Sequence, residues 1–218
     1  MAKNLNLFDD GYDIIDNFLD DSEAEELLNI ISNIDFYKKS KDYWPVGLYA
    51  MIPDESDDKK RVTETENINV GYQFIWSFDT NEKKYLDEKS LIGTPAENYS
   101  KNILNLISKF QDKCYSFLSQ NNFDVNKIKQ IITLPYECPA KSSILWHDDT
   151  FHSLGISYYL NKSWGKNCGG ELLLESGKWV FPVFNRAVFI GEGIEHKVCN
   201  INPGCPSRYS LQSFILLK

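Results

Sequence analysis

Polar residues in the C-terminal half of the sequence have the types and the order of a metal site. His147 and Asp149 are two positions apart, His196 follows His147 by 49 residues, and Arg208 follows His196 by 12. Two imidazoles and one carboxylate can bind one face of an Fe(II) ion and leave the opposite positions open for oxygen and a co-substrate. The spacing therefore predicts a mononuclear iron site.

The local pattern around His147 indicates which residues face the ion. In a strand, residues i and i+2 lie on the same face, so His147 and Asp149 can reach one ion while Asp148 points away. A histidine two places before an aspartate is a weak motif alone, and it becomes specific only together with His196 and Arg208 downstream. His152 is interpreted as an exposed residue or a supporting group, not as a ligand.

Arginine is scarce in this chain, which has only Arg61, Arg186 and Arg208. An arginine can bind a carboxylate through two parallel hydrogen bonds, which a lysine cannot do as well. Arg208 begins the last predicted strand and is the predicted carboxylate clamp, with Arg186 as its main competitor. The order of these residues favours an enzyme that uses 2-oxoglutarate and oxygen to hydroxylate a substrate.

Further segments of the sequence surround these residues in a recognisable order. They are Tyr12–Leu19, Tyr158–Trp164, Gly169-Gly170-Glu171-Leu172, Pro182, His196-Lys197-Val198 and Arg208-Tyr209-Ser210. Together with the triad, the stretch from about His147 to Leu217 resembles the prolyl-4-hydroxylase-like branch of the 2-oxoglutarate/Fe(II) dioxygenases. The resemblance is strong in the C-terminal half and weaker in the first 35 residues.

The resemblance implies a role for each candidate residue. It implies that the metal ligands and catalytic residues are His147, Asp149 and His196. It implies that the residues around the co-substrate are Arg208, Ser210, Tyr159 and Tyr136. Fe(II) and 2-oxoglutarate are the implied cofactor and co-substrate, and a need for ascorbate stays open.

The implied reaction is hydroxylation of an unactivated C–H bond by molecular oxygen. The implied substrate is a prolyl residue in a peptide or protein, with a free amino acid or another small metabolite as the alternative. Two alternatives come from other classes: a catalytically silent jelly-roll module that binds a metal, and a cupin-type oxygenase that does not use 2-oxoglutarate. Consumption of 2-oxoglutarate separates these hypotheses.

Composition narrows the class of protein further. With 218 residues, 42% hydrophobic and 14% aromatic, the chain suits one compact domain with a real core. A net charge of −8 argues against a nucleic-acid partner, which would need clustered basic residues. We find neither a signal peptide nor an apolar run long enough for a membrane span, so we expect a cytoplasmic protein; the oligomeric state stays open.

Five cysteines are scattered along the chain, at positions 114, 138, 168, 199 and 205, with no C-x-x-C pair. This pattern is typical of free thiols in a reducing compartment. A disulfide between Cys199 and Cys205, across the Pro203-Gly204 turn, is the alternative.

The periodicity of apolar residues predicts a mainly β fold with flanking helices, namely a double-stranded β-helix (jelly roll). One helix is expected from a capping box at Ser22 and Glu25 to about Asn33, and another from Thr94 to Asn121–Asn122. Strands are expected at 129–135, 143–149, 155–160, 171–175, 178–181, 187–191, 196–201 and 208–216.

This pattern makes residues 1–218 a single domain, with helical support and variable loops in 1–126 and the jelly-roll core with the metal site in 127–218. Residues 50–92 are a solvated loop or a lid over the substrate, with a strand at Val70–Trp76.

Overall fold

The computed structural model of the chain describes residues 8–33, 37–38, 69–70, 76–79, 84–85, 101–149 and 152–218. The predicted N-cap at Thr94 lies outside these residues, as does most of the 50–92 segment that was interpreted as a loop or lid. The described part of that segment is strand, at 69–70, 76–79 and 84–85.

Two α-helices are described, α1 at Asp21–Ile31 and α2 at Lys101–Gln120. Each buries an apolar stripe, which contains Ala24, Leu27 and Ile31 in α1 and Ile107, Phe110 and Cys114 in α2. The predicted N-cap at Ser22 is wrong, because Asp20 occupies the cap and Ser22 lies inside the helix. No described helix is both long and apolar enough to cross a membrane.

The strands confirm the mainly β prediction. The described strands are β1 Tyr12–Ile15, β2 Tyr37–Lys38, β3 Asn69–Val70, β4 Trp76–Asp79, β5 Lys84–Tyr85, β6 Ile128–Cys138, β7 Ile144–His147, β8 Leu154–Tyr159, β9 Leu172–Leu174, β10 Trp179–Val180, β11 Arg186–Gly191, β12 His196–Val198 and β13 Arg208–Leu217. The eight strands predicted after residue 127 are all present, as β6 to β13.

The strands form two sheets. The larger sheet has the order β1-β11-β8-β13-β6-β3-β2, with β4 also paired to β6 and β5 paired to β4. The smaller sheet has the order β10-β9-β12-β7. In sequence, its members β7, β9–β10 and β12 fall between β6, β8, β11 and β13 of the larger sheet, which is the jelly-roll arrangement that the sequence predicts. The N-terminal part of the chain thus supplies strands to the larger sheet as well as helices.

Two apolar clusters account for the packing of these layers. One joins α1 and α2 to one face of the larger sheet, where the rings of Phe18, Phe110 and Tyr158 lie 5.1–6.0 Å apart. The other joins the opposite face of the larger sheet to the smaller sheet. In β8, for example, Tyr158 belongs to the first cluster and Tyr159 to the second. The helices therefore support the larger sheet from outside, and the space between the sheets is left for the site.

Asn185 fixes the start of α1 against the larger sheet. This fully buried residue has a positive φ of 59°, which asparagine tolerates better than most residues. Its Oδ1 accepts from the backbone N–H of Leu19 at 2.9 Å and from the hydroxyl of Tyr158 at 2.8 Å, and its Nδ2 donates to the carbonyl of Leu19 at 2.8 Å. One side chain thus satisfies both backbone groups of Leu19, just before α1.

Candidate metal and co-substrate site

Three side chains meet between the sheets, as the sequence predicts. His147, Asp149 and His196 each place a ligand atom so that the three atoms lie within 4.8 Å of one another, and all three residues are buried. The two imidazole centroids are 4.3 Å apart. This is the one such cluster of histidine, cysteine and acidic residues in the described part of the chain.

Strand pairing brings the two histidines together. His147 ends β7 and is the direct cross-strand partner of His196, the first residue of β12. Asp149 lies two residues beyond the end of β7, where the predicted strand 143–149 has already stopped. The alternation still holds in this extended segment, since Asp149 joins the cluster and Asp148 does not.

The polar atoms of the cluster fit a divalent metal. His196 Nδ1 lies 2.9 Å from the carbonyl oxygen of Ile194, a contact that favours the tautomer with Nδ1 protonated and Nε2 free to bind a metal. That Nε2 lies 3.7 Å from Oδ2 of Asp149. Oδ1 of Asp149 is buried and has no hydrogen-bond partner in the described residues. A buried carboxylate oxygen without a partner is costly, and a metal ion would satisfy it.

Gly155, in β8, makes room for the carboxylate. A Cβ atom at this position would lie 2.9 Å from Oδ2 of Asp149, closer than ordinary packing allows. Gly155 is not among the site residues predicted from the sequence. The only signal was a glycine inside a strand, which often marks close approach of another group.

A buried arginine lies in the same cavity as the triad. Arg208 is 1% exposed; its Nη1 donates to the carbonyl oxygen of Gly170, and its Nη2 lies 3.6 Å from Sγ of Cys138. Its Nε is buried without a hydrogen-bond partner in the described residues. A guanidinium whose hydrogen-bond partners are uncharged and which keeps an unused donor can bind an anion that enters the cavity.

The competing arginine is already paired. Arg186 donates from Nε to Oδ1 of Asp16 at 2.6 Å and from Nη2 to Oδ2 of Asp16 at 2.9 Å. Its Nη1 donates to the carbonyl of Phe181 at 3.1 Å. The guanidinium beside Asp16 lowers the pKa of that carboxyl. The geometry therefore favours Arg208 over Arg186 as the carboxylate clamp.

The other predicted co-substrate residues surround Arg208. Tyr136 and Tyr159 both line the cavity and are almost fully buried. The guanidinium lies 5.5 Å from the ring centre of Tyr159. Burial raises the pKa of Tyr159 above its usual value of 10, although Arg208 acts in the opposite direction. Its hydroxyl therefore stays protonated at neutral pH.

Ser210 is buried on β13, the strand of Arg208, but is not among the residues that line the cavity. Its hydroxyl accepts a 3.0 Å hydrogen bond from Nε2 of Gln212, and Oε1 of Gln212 accepts a 2.7 Å bond from Ser157. Gln212 and Ser157 both line the cavity. Gln212 is therefore a polar part of the cavity wall.

His152 and the cysteines require corrections. His152 is buried, not exposed: its ring lies 4.5 Å from that of Phe214, and its backbone N–H donates to the carbonyl of Asp149. Cys168 and Cys205 form a disulfide, so neither is a free thiol and the alternative Cys199–Cys205 pair is wrong. Cys114, Cys138 and Cys199 are free, as expected. The topology of the two loops decided the pairing, and sequence spacing does not reveal it.

Comparison with known families decides what kind of site this is. Residues 134–216 match the family model described as the 2OG-Fe(II) oxygenase superfamily, and this segment contains the triad and Arg208. This segment is a 2OG-Fe(II) oxygenase domain. The match of this segment supports the predicted 2-oxoglutarate/Fe(II) dioxygenase activity, with Fe(II) as the cofactor and 2-oxoglutarate as the co-substrate.

Solved structures with the same fold include several hydroxylases. A prolyl hydroxylase from Trichoplax adhaerens, in complex with a hypoxia inducible factor oxygen degradation domain peptide fragment, is 18% identical with a TM-score of 0.62; the alignment covers 97% of this chain and 86% of that one. The viral collagen prolyl hydroxylase of Paramecium Bursaria Chlorella virus-1, in a 2OG complex, is 15% identical with a TM-score of 0.54, over 94% and 95%.

A Pseudomonas putida prolyl-4-hydroxylase is 14% identical with a TM-score of 0.52, over 95% of this chain and 93% of that chain. At these identities the three structures show the shared oxygenase fold. A search of curated proteins finds no match to this chain.

The space beside Asp149 gives a direct test of the metal site. Gly155→Ala should lower metal affinity by roughly tenfold or more, because the added methyl group displaces the carboxylate from its position. The measurement is Mn(II) affinity by titration calorimetry under anaerobic conditions. Gly177→Ala is the control for backbone strain, since its φ of 83° disfavours alanine while its added Cβ meets no atom within 4 Å. Equal metal affinity in wild type and Gly155→Ala would show that Asp149 is not a ligand.

Proposed function

We propose that the dioxygenase binds Fe(II) through His147, Asp149 and His196 and hydroxylates a prolyl residue in a peptide or protein. The observation that carries this proposal is the placement of the triad and the buried Arg208 in one cavity. A metal site and a cation in one cavity match 2-oxoglutarate, which has a keto acid group at one end and a carboxylate at the other. When bound, Fe(II) with 2-oxoglutarate supplies the oxidising chemistry.

The residues of the chain position and shield this chemistry. The carbonyl of Ile194 orients the imidazole of His196, and the pairing of β7 with β12 holds His147 beside it. Arg208 is the proposed partner of the distal carboxylate of 2-oxoglutarate. The protonated hydroxyl of Tyr159 can donate to that carboxylate, as can the hydroxyl of Tyr136. Ser210 does not line the cavity and supports its wall through the hydrogen bond with Gln212. Apolar side chains complete the cavity wall and limit water, namely Ile144, Ile156, Leu172, Ile190, Val198 and Phe214.

The proposal of a prolyl substrate is supported by the fold comparison. Three structures of the same fold are prolyl hydroxylases, and one of them holds a peptide fragment. The oxidising chemistry itself does not select proline, so a free amino acid or another small metabolite is the competing substrate. A catalytically silent module would consume no 2-oxoglutarate with any substrate.

Arg208 and Arg186 provide a matched pair of variants. Arg208→Lys should lower the affinity for 2-oxoglutarate roughly tenfold or more, because lysine keeps the charge but loses the two-pronged contact. Metal affinity should stay unchanged. Arg186→Lys should bind 2-oxoglutarate like the wild type, since Arg186 pairs with Asp16. The affinities are measured with Mn(II) present; the reverse result for the two variants would show that the wrong arginine has been assigned.

The substrate proposal is tested by coupled turnover. The protein is incubated with Fe(II), 2-oxoglutarate and a panel of proline-containing peptides, each with a control in which alanine replaces the proline. We expect succinate release together with the gain of one oxygen atom by the prolyl peptides only. Hydroxylation of free amino acids without any peptide product would reject the prolyl proposal. Failure to consume 2-oxoglutarate with every substrate would favour the silent module.

A further inference from the structure

The disulfide joins the loop before β9 to the loop before β13. Cys168 lies in the loop between β8 and β9, and Cys205 lies in the loop between β12 and β13, 37 positions later in the sequence. Their Cα atoms are 5.6 Å apart, in the usual range for a disulfide. Cys168 is 8% exposed, whereas Cys205 is half-buried.

Each of these loops lies next to one partner in the contact between Arg208 and Gly170. Gly170, two residues after Cys168, supplies the carbonyl oxygen that accepts from Nη1 of Arg208. Arg208 itself comes three residues after Cys205. The disulfide therefore joins two loops covalently. One contains Gly170, which contacts the guanidinium, and the other leads into β13, which begins with Arg208.

The connection between Cys168 and Gly170 is a single residue, which packs closely against the other loop. Gly169 and Gly170 have φ values of 72° and 71°, a region that few other residues adopt. A Cβ at Gly169 would lie 2.0 Å from the carbonyl oxygen of Asn200, so the two loops pass in direct contact here. A shift of Cys168 is therefore transmitted to the carbonyl of Gly170.

Hydrogen bonds also join the two loops, so loss of the disulfide should loosen this region without unfolding it. The N–H of Asn202 donates to the carbonyl of Cys168 at 2.8 Å, and the N–H of Gly170 donates to the carbonyl of Asn200 at 3.2 Å. The metal cluster does not depend on this link, because the pairing of β7 with β12 forms it.

We propose that the Cys168–Cys205 disulfide positions Arg208, and that its reduction lowers the affinity of the enzyme for 2-oxoglutarate. This inference rests on the proposed role of Arg208 as the carboxylate clamp. Disulfides in a reducing compartment, such as the cytoplasm that the sequence predicts, are usually transient or redox-sensing. In this role, the disulfide makes 2-oxoglutarate binding respond to the thiol redox state.

The switching step is thiol–disulfide exchange with a dithiol. A thiolate of the reductant attacks Sγ of the more accessible Cys205, the S–S bond breaks, and Cys168 leaves as a thiolate that takes up a proton. The second thiol of the reductant then displaces Cys205 and closes the reductant's own disulfide. The protein gains two electrons and two protons, and the dithiol loses the same number.

The first measurement counts thiols. The chain has five cysteines, and the structure leaves Cys114, Cys138 and Cys199 free. Protein purified without reductant and then denatured should therefore titrate three thiols, and five after treatment with dithiothreitol. Five thiols before treatment would overturn the proposal at once.

The second measurement is 2-oxoglutarate affinity by anaerobic calorimetry with Mn(II) in place of Fe(II), after the reductant has been removed. We expect roughly tenfold weaker binding in the reduced wild type, with unchanged Mn(II) affinity, because a small displacement of a binding group has large effects. Cys168→Ser and Cys205→Ser should resemble the reduced wild type and no longer respond to dithiothreitol. Cys199→Ser is the control, and it should respond like the wild type.

The outcomes separate this inference from the proposed function. Equal 2-oxoglutarate affinity in the oxidised and reduced wild type would overturn the redox role and leave the clamp intact. A parallel loss of Mn(II) and 2-oxoglutarate affinity would show general loosening, which also contradicts positioning of Arg208. Oxidised protein that binds Mn(II) but no 2-oxoglutarate would reject the proposed co-substrate site itself.

Discussion

The burial of one positive charge is the constraint on which the rest of the site depends. The guanidinium of Arg208 is almost completely enclosed, its contacts are to uncharged atoms, and its Nε has no partner in the described residues. A buried charge without a counter-ion costs several kcal/mol. An anion that enters the cavity offsets this cost, so the arginine favours a carboxylate ligand before any metal is considered.

The two sheets carry different parts of the site. The metal residues belong to β7, to the segment that follows it, and to β12 in the smaller sheet, whereas Arg208 and Tyr159 belong to the larger sheet. A ligand that contacts both groups spans the space between the sheets. The helices and the hydrogen bonds of Asn185 support the outer side of the larger sheet. Their contribution to function is indirect, because they pack on the outer face of the sheet that contains the strand of Arg208.

The sequence was sufficient to predict the features with a regular period or a restricted chemistry. Strand alternation placed His147 and Asp149 on one side and Asp148 on the other, and turn residues separated eight strands correctly. The sequence predicted less well those features that depend on a tertiary contact. The partner of Cys205 depends on two loops that meet only in the folded chain, and the need for glycine at position 155 depends on where the Asp149 carboxylate lies. His152 was expected to be exposed or a supporting group, and the exposed alternative is wrong because Phe214 covers the ring, which nothing in the local sequence shows.

The most direct test of this account is a crystal structure grown anaerobically with Mn(II) and 2-oxoglutarate. Anomalous scattering locates the metal independently of any assumption about its ligands. We predict one manganese peak bound by His147, Asp149 and His196, with the distal carboxylate of 2-oxoglutarate on the guanidinium of Arg208. A manganese ion elsewhere in the chain, or a distal carboxylate bound to Arg186, would contradict the account.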